Sequence, residues 1–358
     1  MHEIKQRLAV TKTELPPCCL RIHPADNSVV ILGTYKLEDG GTRNGSLDIY
    51  KYDKDSAKDE SEKLRLLKRY ATGSAILDLK FSPFDDTILV SAHSTGNIQI
   101  WKFSAEDTSL RMEKSFQVSE DSEVLITSVF FSPIERHRLL ATTTSGDSAI
   151  VNLQDFSIQW LDTAHDLECW TGSFGELGEL QNVVFTGGDD SKLIAHDLRT
   201  QEAIWQTGHR HHEAGVVSIL SPGQNWNTDN SHQLWTGSYD DHLRILDLRV
   251  MDRANPSLIP GYIPKVLQSE NLGGGVWRLI PSPLSDDNRL LTCCMYDGAR
   301  IVSTEEMNSG EFVVRKYFKR DHESMCYGGD WASSGEFVVT CSFYDNVVQV
   351  WSPDSVDR

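Results

Sequence analysis

The chain has 358 residues, seven cysteines and a formal net charge of −18. A negative field of this size repels phosphate backbones and favours a basic protein partner, so no nucleic-acid binding is expected. No apolar run approaches the roughly 18 residues that cross a bilayer, and no positively charged leader precedes an apolar stretch. The odd cysteine count without a CxxC pair argues against disulfides and zinc. We predict a soluble cytoplasmic protein without a membrane partner, metal or cofactor.

Seven segments with alternating apolar residues run into turns, as is typical of the first strand of a small antiparallel sheet. They are Cys18–Pro24, Ala75–Pro83, Leu125–Pro133, Cys169–Gly175, Val216–Pro222, Val276–Pro283 and Tyr327–Ala332. Between them, Lys54–Lys63 carries mixed charge and Gly223–Ser231 is rich in Asn and Gly, so both are interpreted as solvated loops. Seven starts predict seven repeated units.

A second pattern recurs later in the chain, where four segments end a strand with the same kind of turn. These are Phe185–Asp190, Trp235–Asp240, Leu291–Asp297 and Val339–Asp345. Their recurrence about every 50 residues indicates that one small unit is repeated. After three of the turns, an apolar alternation ends in a dipeptide at the same place, His196-Asp197, Leu246-Asp247 or Trp351-Ser352. This is a weakened form of the WD-repeat signature of a β-propeller blade.

The two ends of the chain predict how the ring closes. The last blade is one strand short after Trp351, and Ile4–Val10 precedes the first inner strand with nothing else to pair with. Pairing the two removes the exposed edge that an open array would leave. We predict an all-β fold, a seven-bladed WD-repeat β-propeller whose ring is closed by pairing the N-terminal strand with the C-terminal blade. Residues 1–358 would form a single, monomeric domain.

Histidines and acids at fixed places in the blades allow two interpretations. Ser238, His212 and Asp240 fall in one blade and have the residue types of a catalytic triad. Sets of the same kind also tie propeller blades together by hydrogen bonds, and His165 with Asp190 repeats the pattern one blade earlier. No G-x-S-x-G nucleophile elbow accompanies them. The sequence therefore leaves catalytic and structural roles open for each pair.

Aromatic residues are predicted to surround one mouth of the central channel. Two kinds of position face it, the residue before each turn Asp and the start of each inner strand. These positions hold Asp189, Tyr239, Tyr296, Tyr344, Trp170, Trp277 and Tyr327. Aromatic faces beside a carboxylate suit a quaternary ammonium, which cannot donate hydrogen bonds. The six aromatic residues are candidate substrate-binding groups, although each alone also fits blade packing.

Ester hydrolysis at this mouth would need a base and a donor to the developing oxyanion. The candidates are His165 or His212 as base, Glu168, Asp189 or Asp240 as its orienting carboxylate, and Arg278 as oxyanion donor. Cys169 is an alternative nucleophile, but its position at a strand start also fits plain packing.

Eight segments carry a resemblance to a known family. In chain order they are Leu32–Leu37, Asn44–Ile49, Ala164–Trp170, Thr186–Asp190, Thr236–Asp241, Gly274–Arg278, Tyr327–Trp331 and Thr340–Asp345. Together they resemble the diphthine methylesterases, WD-repeat proteins of diphthamide biosynthesis. The likeness spans nearly the whole chain, and Gly-Gly-Val-Trp-Arg followed by Cys-Ser-Phe-Tyr-Asp is its most specific part.

The resemblance implies an enzyme that hydrolyses the methyl ester of methylated diphthine, a modified histidine of translation elongation factor two. The products would be diphthine and methanol, and amidation of the freed carboxylate would follow. The substrate carries a trimethylammonium group, which matches the aromatic and acidic mouth. The alternative is a non-catalytic scaffold that docks protein partners on its rim, because this fold does not imply an activity. The two hypotheses differ in one feature, because an esterase needs a general base next to the cation-binding site and a scaffold does not.

Overall fold

A computed structural model of the chain describes residues 1–249, 261–285, 287–304 and 311–354. These residues form seven four-stranded antiparallel blades, so the predicted fold class is confirmed. Consecutive inner strands contact one another, and the seventh contacts the first, which closes a ring around a central channel. No helix among the described residues is long and apolar enough to cross a bilayer.

Each blade is numbered here in chain order, with its innermost strand first. Blade 1 comprises Pro17–His23, Asp26–Thr34, Ser46–Tyr52 and Leu64–Ala71. Blade 2 comprises Ile76–Ser82, Asp85–His93, Asn97–Ser104 and Ser109–Gln117. Blade 3 comprises Ile126–Phe131, Arg138–Thr143, Ser148–Asn152 and Ile158–Trp160. Blade 4 comprises Cys169–Phe174, Val183–Gly188, Leu193–Asp197 and Ala203–Gln206.

The remaining blades follow the same order. Blade 5 comprises Val216–Leu220, Gln233–Ser238, His242–Asp247 and Lys265–Asn271. Blade 6 comprises Val276–Pro281, Arg289–Cys294, Ala299–Thr304 and Phe312–Phe318. Blade 7 comprises Cys326–Trp331, Val338–Ser342, Val347–Trp351 and the N-terminal strand Ala9–Lys12. Outside the blades lie a hairpin, Lys36–Leu37 with Arg43–Asn44, the α-helix Glu60–Lys63, and the 3-10 turns Gly178–Asn182, Thr228–Asn230 and Met295–Asp297.

The core lies between neighbouring blades because both faces of each sheet are covered. Val90 and Ile98 of blade 2, for example, are fully buried in one cluster with Val129 and Leu139 of blade 3. Such side chains leave water when the sheets stack, at about 25 cal/mol for each Å² of apolar surface. The seven inner strands therefore acquire a fixed position around the channel.

The N-terminal segment closes the ring in two steps. Ala9–Lys12 pairs antiparallel with Val347–Trp351, as predicted, although the predicted bounds Ile4–Val10 were wrong. Upstream, His2–Glu3 pairs in parallel with the outer strand of blade 6, and the Ile4 N–H donates to the Tyr317 carbonyl at 2.7 Å. Ile4 is only 1% exposed, because its side chain packs in a cluster shared by blades 6 and 7. The segment thus crosses from one blade to the next.

Removing this closure should destabilise the protein. We expect deletion of residues 1–11 to expose the edge of Val347–Trp351 and to lower the midpoint of urea denaturation strongly. Ile4→Ala alone should cost about 2–5 kcal/mol, as for other fully buried large-to-small changes. Leu37→Ala, at a side chain that is 58% exposed, is the control and should cost less than about 0.5 kcal/mol. Equal stability of the Ile4 and Leu37 variants would contradict this account.

Candidate active site

An aromatic cluster occupies the predicted mouth of the channel, with Trp277 at its centre. The Trp277 ring contacts Trp170, Tyr239 and Tyr327, at centroid distances of 5.9, 5.8 and 4.9 Å. Trp170, Trp277 and Tyr327 are each the second residue of an inner strand, in blades 4, 6 and 7. Tyr239 comes from the turn after the second strand of blade 5. The structure therefore brings four of the six predicted aromatic residues together.

Asp189 supplies a carboxylate at the edge of this cluster. Its Oδ1 accepts a hydrogen bond from Trp170 Nε1 at 3.3 Å. A Cβ on Gly215 would lie 2.7 Å from Asp189 Oδ1 and 3.0 Å from Tyr239 Cδ2, so only glycine leaves room for both. Burial raises the pKa of Tyr239 and Tyr327, which keeps both phenols neutral at physiological pH. The site presents neutral ring faces beside the Asp189 carboxyl group.

The backbone also places Glu168 at this mouth. The Asp189 N–H donates to the Glu168 carbonyl at 2.8 Å, so the turn of blade 4 is tied to the residue that precedes its inner strand. Glu168 is half-buried, and its carboxylate is close enough to contribute to the raised pKa of Tyr239. Of the predicted catalytic acids, Glu168 and Asp189 are thus the two beside the aromatic cluster.

Tyr296 and Tyr344 are 56% and 73% exposed and lie at the outside of the cluster, although both are near enough to contribute to the raised pKa of Tyr327. Their turns, Cys-Met-Tyr-Asp and Ser-Phe-Tyr-Asp, are one residue longer than Ser-Tyr-Asp in blade 5. The Phe343 N–H donates to the Met325 carbonyl just as the Tyr239 N–H donates to Gly215. Phe343 is therefore the equivalent of Tyr239, and its ring lies 5.5 Å from Tyr327 and 4.9 Å from Tyr344. Counting back from the turn Asp selected the wrong residue in blades 6 and 7.

An ion pair crosses the channel beyond the aromatic cluster. Arg278, the residue after Trp277, reaches from blade 6 to blade 2, where its Nη2 lies 3.3 Å from Asp78 Oδ1. Burial works against the charge of Arg278, but Asp78 outweighs it and raises the pKa of the guanidinium. The Arg278 guanidinium lies 5.8 Å from the centre of the Trp277 ring. The predicted oxyanion donor is thus a charged group next to the aromatic cluster.

His165 lies inside blade 4 and away from the channel mouth. Its side chain is 1% exposed, with Nδ1 2.9 Å from Asp190 Oδ1 and Nε2 2.9 Å from Thr186 Oγ1. Burial alone would raise the pKa of Asp190, but the hydrogen bond and charge of His165 lower it to about 2. Both ring nitrogens are engaged, which is the arrangement of a blade-tying network. The structure does not bring His165 to Glu168 and Trp170 as a free base.

His212 and Asp240 do not form the pair suggested by the sequence. His212 Nε2 is 2.9 Å from Thr236 Oγ1, while its buried Nδ1 has no hydrogen-bond partner within the described residues. Asp240 is held instead by both terminal nitrogens of Arg244, each at 2.8 Å. The Ser238 hydroxyl donates to the Ala214 carbonyl at 3.0 Å. Because Ser238 and Asp240 use other partners, blade 5 contains no triad.

Six of the seven thiols are buried, and Cys18 is partly exposed. Cys169 is fully buried, and desolvation raises its pKa well above the ordinary value. A thiolate is therefore strongly disfavoured, and the nucleophile alternative has no geometric support. Within the described ranges, no group of three or more His, Cys, Asp or Glu side chains could hold a metal ion.

Four further channel residues escaped the sequence analysis, namely Arg21, Asp78, Lys80 and Asp330. They lie on inner strands that were predicted correctly. A charged residue at alternate positions of a half-exposed strand is ordinary, so no local signal marks it. Only the ring, which turns these three inner strands toward one axis, shows that the charges meet.

Comparison with known proteins agrees with the fold and identifies the family. Residues 315–352 match the family model "WD domain, G-beta repeat". One chain of the crystal structure of a mitotic checkpoint complex superposes with a TM-score of 0.68 at 15% identity, over 98% of this chain and 92% of that chain. At this identity the likeness concerns the fold alone. The chain is thus a WD-repeat β-propeller whose channel mouth is aromatic and acidic.

Two yeast proteins are similar along nearly their whole length. The diphthine methyltransferase of Saccharomyces cerevisiae is 40% identical, over 96% of this chain and 97% of its own. The diphthine methyltransferase of Schizosaccharomyces pombe is 33% identical, over 95% of each chain. The chain belongs to this diphthine methyltransferase family.

Proposed function

We propose that the protein is a carboxylic ester hydrolase that demethylates methylated diphthine on translation elongation factor two. The names of the two yeast relatives support the diphthine part of this proposal. The observation that carries the rest is the aromatic cluster around Trp277 beside the Asp189 carboxylate. A trimethylammonium group has no N–H to donate, so ring faces and an acid are the groups that can bind it.

The reaction needs three contributions beyond binding, and residues at the mouth can supply them. Glu168 takes a proton from water as the water oxygen attacks the acyl carbon. Arg278 stabilises the negative charge that develops on the carbonyl oxygen. The bond between the acyl carbon and the methoxy oxygen then breaks, and methanol leaves with the proton returned by Glu168. The products are the carboxylate, methanol and one released proton. The Asp189 carboxyl group lies beside the quaternary ammonium.

The relatives' names refer to methyl transfer, so the fate of the methyl group is the sharpest test. Purified protein would be incubated with methylated elongation factor two in ¹⁸O-labelled water, without a methyl donor. We expect methanol release, with the label in the new carboxylate, because the acyl–oxygen bond breaks. Label in methanol would overturn the proposal, as would methylation of the substrate in a parallel reaction that is supplied with a methyl donor. Binding without turnover would support the scaffold alternative.

The aromatic cluster gives a graded prediction. Trp277→Ala should remove about 0.5–2 kcal/mol of substrate binding free energy, the usual range for a cation–π contact, and kcat/KM should fall accordingly. Tyr344→Ala removes a ring of the same class that is 73% exposed and contacts Phe343 at the outside of the mouth. It should have a smaller effect. A Tyr344 variant that is impaired as much as the Trp277 variant would contradict this assignment.

We place the reaction in the cytoplasm, where translation elongation factors act. We also propose that the 358 residues work as one domain and as a monomer, with the modified side chain of the protein substrate entering the channel mouth. The acidic net charge of −18 favours a basic surface on that substrate.

A further inference from the structure

The channel beyond the aromatic cluster contains five charged side chains from four blades. They are Arg21 of blade 1, Asp78 and Lys80 of blade 2, Arg278 of blade 6 and Asp330 of blade 7. The side chains of Lys80 and Arg278 are 19% and 10% exposed, so both face the channel without being free in solvent.

Hydrogen bonds already occupy both carboxylates. Asp78 accepts from Lys80 Nζ at 2.9 Å with each of its oxygens, and Oδ2 also accepts from the Val129 N–H at 3.2 Å. Arg278 adds the contact described above. Asp330 accepts from two main-chain N–H groups, those of Ile22 at 2.9 Å and Trp331 at 3.0 Å. The oxygens of Asp78 and Asp330 therefore already have hydrogen-bond partners within the cluster or its main chain.

The cations exceed the acids in number. Arg21 Nη1 donates to main-chain carbonyls, those of Leu20 at 2.7 Å and Gly329 at 3.3 Å. Burial and the neighbouring Arg21 lower the pKa of Lys80 to about 7, and desolvation raises the pKa of Asp330. The Lys80 shift is what burial beside other positive charges produces, whereas the Asp330 shift comes from burial alone and is opposed by the charges of Arg21 and Lys80. One anion would balance the cluster.

We propose that this cluster is a carboxylate subsite, in which Arg21, Lys80 and Arg278 hold the carboxylate that ester hydrolysis leaves on the product. The inference rests on the proposed function and extends it to product recognition. Arg278 lies 5.8 Å from the Trp277 ring, so a molecule with its cation on the rings can place an acid on the channel cluster. The methyl ester substrate has no such charge. The enzyme therefore binds its product more tightly than its substrate and is inhibited by it.

Small probes test this subsite without enzyme turnover. The intact chain would be titrated with tetramethylammonium, glycine betaine and glycine betaine methyl ester, with tryptophan fluorescence or calorimetry as the readout. We expect glycine betaine to bind at least about tenfold more tightly than its methyl ester, since hydrogen bonds between charged groups are stronger than those to a neutral ester. Lys80→Met should reduce that preference to about twofold and leave tetramethylammonium binding unchanged.

Two further arms separate the possible outcomes. The charged groups around Lys80 are Asp78, Arg21, Arg278 and Asp330. As pH rises from 6 to 8, Lys80 loses its proton and its positive charge, so the preference for glycine betaine should weaken. Lys80→Arg should keep the preference at pH 8, and Lys68→Met, at an exposed lysine, should change nothing. Equal binding of glycine betaine and its methyl ester by the unaltered protein would overturn the subsite alone. If tetramethylammonium also fails to bind, the aromatic site itself is wrong.

Discussion

Glu168→Gln should lower the rate of ester hydrolysis by about 10² to 10⁴ while leaving the protein folded, as expected when a general base is lost. Glu168 is half-buried at the mouth, and its main chain is fixed by the hydrogen bond from Asp189. The amide has nearly the shape of the carboxylate but cannot accept the proton of water. Single-turnover assays with methylated elongation factor two would measure the rate, and urea denaturation would check stability.

Two matched variants make this prediction specific. Glu213→Gln makes the same change in the equivalent loop of the next blade, at an exposed side chain, and should keep the original rate. His165→Gln should instead lower stability by about 1–3 kcal/mol, because it removes a buried hydrogen-bond partner of Asp190 and Thr186. The remaining folded protein should be active. If the His165 variant folds normally but is inactive, and the Glu168 variant is active, then His165 is the general base and Glu168 is not.

Acidification from pH 7 to pH 5 should destabilise the protein by about 8 kcal/mol through four buried histidines. Desolvation lowers the pKa of His93, His196 and His212 to about 3 and that of His322 to about 4. In the unfolded chain each histidine titrates near its ordinary value of about 6.5. Between these values the unfolded chain binds more protons, so stability falls as pH falls. Each histidine contributes about 2 kcal/mol at pH 5.

Variants identify the source of this acid sensitivity. His212→Asn removes one of the four groups, so the loss between pH 7 and pH 5 should shrink by about 2 kcal/mol, although the variant is less stable at pH 7. His137→Asn, at an exposed position, should leave the loss unchanged. The lowered pKa of Asp190 acts only below about pH 4, and the raised pKa of Asp330 acts in the opposite direction. Urea denaturation at pH 7 and pH 5 would measure the loss of unfolding free energy in each variant. An equal loss in the His212→Asn variant and the unaltered protein would contradict this account.

The buried histidines show how one blade pattern is built in several ways. In blade 2, His93 joins Ser74 and Ser91, and Trp101 donates to Ser91 at 3.0 Å. In blade 7, His322 and Trp351 both reach the Thr340 hydroxyl. Each network links the second strand of a blade to a loop or strand beside it. These contacts explain why a His in such a position favours structure over catalysis.

The strand pattern of the chain was enough to predict its fold. Seven alternating segments predicted seven inner strands, and each observed strand lies within two residues of its predicted start and within three of its predicted end. The unpaired strand near Ile4 predicted the closure with Val347–Trp351. These features are local or follow from the need to cover strand edges. Strand periodicity and pairing rules are therefore enough to predict them.

Which side chains meet at the channel depends on how the seven blades close into a ring. The sequence placed Trp170, Trp277 and Tyr239 correctly, because their positions follow from the strand starts and from a turn of ordinary length. It did not predict that the turns with one extra residue leave Tyr296 and Tyr344 exposed at the outside of the cluster. It could not find the meeting of Arg278 with Asp78, which lie 200 residues apart on opposite sides of the ring. Strand periodicity fixes which face of a sheet a side chain occupies, whereas ring closure fixes what it faces.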